Sequence, residues 1–131
     1  MRSQWLVVLL AVALTLNACG SGDAAAAAQL TDAERSQARQ MFESICVTCH
    51  GPQGRGDGPG SAALDPKPRN FGDPAWQSSV TDAHIRNVIT MGGAAGGKSP
   101  MMPAQPQLKG NARLLDALVD HVRALGKEPT R

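Results

Sequence analysis

The residues best equipped for chemistry stand together at Cys46-Val47-Thr48-Cys49-His50. Thiols three residues apart project from neighbouring positions on one helical face, and an imidazole follows at once on the same side. This C-x-x-C-H spacing lets two thiols reach the two vinyl groups of one haem while the histidine meets its iron; it is the attachment signature of a c-type haem. Gly51 and Pro52 then let the chain leave the helix directly after the histidine. Other uses of a cysteine pair fit less well. Zinc needs two more ligands at matched spacing, and the other histidines, His84 and His121, lie far apart with no partner motif. A thioredoxin-like pair wants a βαβ surround, and no strand-rich pattern flanks this one. A plain disulfide is the remaining structural use in an oxidising compartment.

A histidine-ligated iron has a second axial position, where a thioether raises the reduction potential. Met41 precedes the motif within a helix and Met91 ends a middle helix, which assigns both to packing. Met101 and Met102 lie in Gly-Gly-Lys-Ser-Pro-Met-Met-Pro, Gly96 to Pro103. Pro100 and Pro103 stiffen that loop, so it can hold a thioether in place.

Three helices must carry these groups. The first is capped by Thr31 or Asp32 and runs through Met41 and Phe42 into the cysteine motif. A middle helix covers Thr81–Thr90, with Thr81 as cap and Val80 and Ile85 spaced as a hydrophobic staple. Asn111 caps the last, Ala112–Leu125, whose Leu114, Leu115, Leu118, Val119, Val122 and Leu125 form an apolar stripe. Gly126 and then Pro129 end it. No segment alternates with period two for long enough to be a strand, so the fold class is all-α with three main helices and long loops.

Composition agrees with a fold built around a filler. The chain has 131 residues, with 14 Gly, 9 Pro, no Tyr, and Phe42, Phe71, Trp5 and Trp76 as its only large aromatics. A core that thin usually needs a staple, a metal or a cofactor. The formal net charge is +2, or about +1 once Arg2 is removed, which gives no electrostatic case for nucleic acid. No P-loop or G-x-G-x-x-G opens a helix, so nothing points to a nucleotide.

Met1–Leu16 reads as an export signal: Arg2 is the positive flank, and Trp5–Leu16 is too short for a span of roughly 20 residues. Leu16-Asn17-Ala18-Cys19 resembles the lipobox of bacterial lipoproteins. That likeness implies removal of residues 1–18 and lipid on Cys19, holding the protein at a membrane without spanning it. Plain cleavage within Ala24–Ala28 would instead release a soluble protein. Gly20–Gln29 has no face to bury, so residues 19–30 read as a tether and 31–131 as one domain. Gly20 after the cysteine leaves the choice of membrane open.

Over Thr31 to Lys127 the residues resemble the monohaem class I cytochrome c family. The likeness rests on C-x-x-C-H, Phe42 four residues before the first cysteine, a Met-Pro loop and a C-terminal helix. Gly54–Gly60 followed by Leu64-Asp-Pro-Lys-Pro-Arg-Asn-Phe71 is similar to its Gly-Asp-Gly-Pro subgroup. The resemblance implies one haem c on Cys46 and Cys49, wrapped by helices whose first and last members cross closely at Ala38. It implies His50 and, from the Met-Pro pair, Met102 as iron ligands. A proline carbonyl, from Pro59, Pro66 or Pro68, would take the other N–H of His50. Trp76, with Arg69 and Asn70, would reach a haem propionate, while Phe71 and Trp76 also fill core. His121 stands where the family often has an aromatic and reads as a packing residue. Lys67, Lys98, Arg55 and Arg86 offer a docking face, against which weighs that scattered charge is usually solvated surface. His84 is expected to be exposed and without a role.

The function so implied is a single-haem electron carrier, not an enzyme, with no small-molecule substrate. It would run between a quinol-oxidising complex or dehydrogenase and a terminal oxidase or reductase, freely or as a subunit of a respiratory complex. The setting would be the periplasmic side of a bacterial cell envelope, with the protein lipid-anchored to a membrane. An iron left open by Met102 would instead suit a haem enzyme or gas sensor.

Overall fold

Thr31 opens the first helix of the computed structural model, which describes residues 29–127. The export signal, Cys19, most of the tether and Pro129 lie outside the described residues. In α1 (Asp32–Met41) the Thr31 hydroxyl accepts from the Glu34 N–H at 3.2 Å and the Glu34 carboxylate takes the Thr31 N–H at 2.7 Å. This reciprocal box satisfies two otherwise orphaned donors and selects Thr31 over Asp32 as the cap. The helix then widens into a π turn over Phe42–Cys46, where the Val47 N–H reaches back five residues to the Phe42 carbonyl. It tightens again in α2 (Val47–His50) and stops at Gly51, whose φ of +78° ends the helix right after the histidine.

The chain then follows a long loop to α3 (Pro74–Ser79), a helix absent from the three expected. Asp73 caps it, accepting from the Ala75 and Trp76 N–H groups at 2.9 and 3.3 Å, with Pro74 in the first turn. Next, α4 (Asp82–Met91) starts at the expected Thr81 cap, and Val80 and Ile85 both meet the core as a staple should. The last helix, α5 (Ala112–Leu125), starts at Asn111, whose side chain accepts from the Leu114 N–H at 3.1 Å. Every residue of its expected apolar stripe is buried. Gly126 follows it in right-handed backbone, so its glycine is not a left-handed cap; the Gln77 side chain fills the space a Cβ would need.

The main packing is α1 against α5. Ala38 is 0% exposed, as a close helix approach requires, and the Phe42 and His121 rings meet edge to face with centroids 4.7 Å apart. Glu34–Arg113 at 2.7 Å and Arg35–Asp120 at 3.2 Å fix the register of the two helices. On the other side Arg86–Asp116 joins α4 to α5 at 2.8 Å. No strand occurs among the described residues, and the fold is all-α. None of their helices is long and apolar enough to cross a membrane.

Candidate functional site

Between these helices lies a cavity of about 550 Å³. Its walls come from the π turn and α2, the loop Leu64–Phe71, Trp76 of α3, α4 and the Gly97–Pro103 loop. Protein interiors rarely leave voids larger than a water molecule, so a hole of this size in so small a core fits a large prosthetic group. The expected residues meet there: Cys46, Cys49, His50, Met102 and Trp76 all line it.

Cys46 and Cys49 are free, half-buried thiols. Burial and the neighbouring Cys49 push the Cys46 thiol up to about 11, so it stays protonated in the unmodified chain. His50 is buried, and its Nδ1 lies 3.2 Å from the Arg69 carbonyl oxygen. A carbonyl can only accept, so Nδ1 carries the proton and Nε2 keeps its lone pair. Burial also lowers the pKa of the imidazole, with the Arg69 carbonyl pulling the other way. The neutral ring that results is the form that binds a metal. Its face lies on Phe71, with centroids 4.5 Å apart and an interplanar angle of 17°.

The orienting carbonyl therefore belongs to Arg69 and not to Pro59, Pro66 or Pro68. Its neighbour Pro68 turns its own carbonyl oxygen towards Gly56 instead, close enough that a Cβ there would overlap it. Residue type gives no signal for such a contact, because any residue supplies a carbonyl.

Met102 is half-buried, whereas Met101 is 63% exposed, although both touch the cavity. Met41 packs against the core as expected, but Met91 is exposed and does not. Trp76 forms part of the wall beside Phe71, centroids 5.4 Å apart, with the Arg69 guanidinium 5.9 Å from its ring centre. His84 departs from expectation: it is half-buried and lines the cavity with Ile85, Val88 and Ile89. Its place at positions 84, 85, 88 and 89 of one helical face was the available clue. Of the four docking candidates, Arg86 is taken up by Asp116; Lys67 and Lys98 stand at the cavity, Lys67 donating to the Ser61 and Ala62 carbonyls at 2.9 and 2.7 Å. Arg55 lines a separate outer cleft with Lys67 and Arg69. No three His, Cys, Asp or Glu side chains gather as a metal site among the described residues.

The residues fit a haem on all these counts, and comparison with known proteins agrees. The Cytochrome c family model matches residues 35–126, most of the chain. The chain belongs to the cytochrome c family. It is a haem electron-transfer protein with covalently bound haem c, and Cys46 and Cys49 have the attachment spacing. Comparison with curated proteins gives no match.

Proposed function

We propose that this chain is a single-haem electron carrier whose iron is held by His50 and Met102. The observation that carries the reading is their meeting in one cavity. His50 has Nδ1 committed to Arg69 and its Nε2 lone pair left for a metal, and Met102 sits on a loop fastened to the end of α4. When bound, haem c supplies one iron that takes up and gives back a single electron. The protein holds the imidazole, keeps water away with apolar walls, and offers Trp76 and Arg69 to a propionate. Were His50 and Met102 both to hold the iron, the protein would leave no place on it for a substrate, which favours a carrier over an enzyme.

Cys19 would tether the domain to a membrane on the periplasmic side of a bacterial envelope. The tether would raise the effective concentration of the carrier near membrane-bound partners. Those partners would be a quinol-oxidising complex or dehydrogenase as donor and a terminal oxidase or reductase as acceptor. The basic groups Lys67, Lys98 and Arg55 at and beside the cavity would meet them.

Absorption spectra of the haem-loaded protein, oxidised and reduced, with and without carbon monoxide, test the reading. A reduced c-type spectrum unmoved by carbon monoxide, with the weak sulfur-to-iron band in the oxidised form, is expected. Carbon monoxide binding without that band would reject Met102 and put an open-site haem enzyme or gas sensor in its place.

A further inference from the structure

The loop that carries Met102 is folded back onto one residue at the end of α4. Gly93 donates its N–H to the Met102 carbonyl at 3.1 Å, and its own carbonyl accepts from Gly96 and Lys98 at 3.1 and 2.8 Å. Met102 in turn donates to the Ser99 carbonyl at 3.2 Å. Both ends of the loop therefore close on the backbone of Gly93.

Its backbone gives no reason for glycine here. At φ −63° and ψ −38° Gly93 lies in the ordinary right-handed region that any residue adopts. Its neighbour Gly92 differs, since a φ of +80° there would strain any side chain. What excludes a side chain at Gly93 is space. A Cβ would overlap the Ser99 carbonyl oxygen and stand 3.1 Å from the Met102 Cβ. Both obstacles belong to the ligand loop and neither to the helix core.

We infer that Gly93 is the positioning residue for the sixth ligand: its bare Cα is the seat on which the Met102 loop closes. A methyl group there would push Ser99 and Met102 outward and leave α4 largely as it is. This rests on the proposed Met102 ligation, and the experiment separates the two.

Holoprotein spectra of wild type, Gly93→Ala and Met102→Ala are compared, with far-UV circular dichroism as the check on folding. The expected result is that Gly93→Ala copies Met102→Ala: the sulfur-to-iron band is lost and carbon monoxide binds, while helical content stays at the wild-type level. A band that survives in Gly93→Ala, with carbon monoxide refused, overturns this inference alone. A wild type that lacks the band and binds carbon monoxide overturns the Met102 reading and this inference with it. A second measurement needs no variant to fold. Imidazole added to the oxidised wild type displaces a thioether, and amide hydrogen exchange then reports the Gly93 N–H. Selective loss of protection at Gly93, with α1 and α5 amides unchanged, supports the seat, and unchanged protection at Gly93 overturns it.

Discussion

His50 is held from two directions, by the Arg69 carbonyl on Nδ1 and by the Phe71 ring against its face. Phe71 also touches Phe42 at 6.4 Å and Trp76 at 5.4 Å, so one side chain braces the imidazole, the π turn and α3 together. Phe71→Ala should cost about 3–5 kcal/mol, as large-to-small changes in a packed core do. Urea denaturation of the holoprotein would show it, and the reduction potential should shift because the imidazole loses a wall. The motif Cys46–His50 was readable because its chemistry depends on short spacing and residue type alone. Arg69 was not, because its contribution is a backbone oxygen brought in from nineteen residues away. The exposed surface assigned to His84 failed for a different reason: its place on one helical face with Ile85, Val88 and Ile89 was legible, and was not used.

Among the elements, α3 is the least anchored by burial, having no buried residue. Polar fastening takes over. Arg123 on α5 donates to the Gln77 carbonyl at 2.7 Å, the Gln77 Oε1 at 2.9 Å and the Val80 carbonyl at 2.7 Å. It also pairs with Asp82 at 2.8 Å, while Gln77 Nε2 reaches back to the Phe71 and Val122 carbonyls. Arg123→Met should lower stability by about 2 kcal/mol, since it strips partly buried carbonyls of their donor. A reduced urea midpoint with an unchanged slope would record it. At the start of α1, hydrogen bonds from Arg113 and the Thr31 backbone hold the Glu34 carboxyl down at about 2 against an ordinary 4.5. Its lowered folded pKa means that its stabilisation is fully present above pH 4.5 and lost as pH falls toward 2. The gap in melting temperature between wild type and Glu34→Gln should accordingly close across that window, and added salt should narrow it at neutral pH. The long helices were legible from their stripes and caps. A six-residue helix has too few turns to show a period, and only Asp73-Pro74 announced α3.

For the molecule as a whole, the apolar side chains are arranged around a space and do not close it. Without its group, a cavity of about 550 Å³ would stand open to water among apolar side chains, which a core this small can ill spare. The chain made without haem, or the Cys46→Ala/Cys49→Ala variant stripped of it, should lose most of its helical circular dichroism and its cooperative melt. The whole-chain placement has its own check. Cys19→Ala should move the protein from the membrane fraction to the soluble one with its haem spectrum unchanged, because the change touches the proposed anchor and not the domain.

The π turn between Ala38 and Cys46 has a consequence at this same scale. Upstream of it, one face of the helix is cut to fit α5; downstream, another face presents the thiols and the imidazole. An α-helix rotates by about 100° with each residue, and the wide turn absorbs one residue more than a regular helix would. The relative bearing of the two faces is thus written as a number of residues, much as the angle between two gears is set by a count of teeth. One further residue there, with no second wide turn to absorb it, would leave every motif spelled correctly and aim it at the wrong quarter.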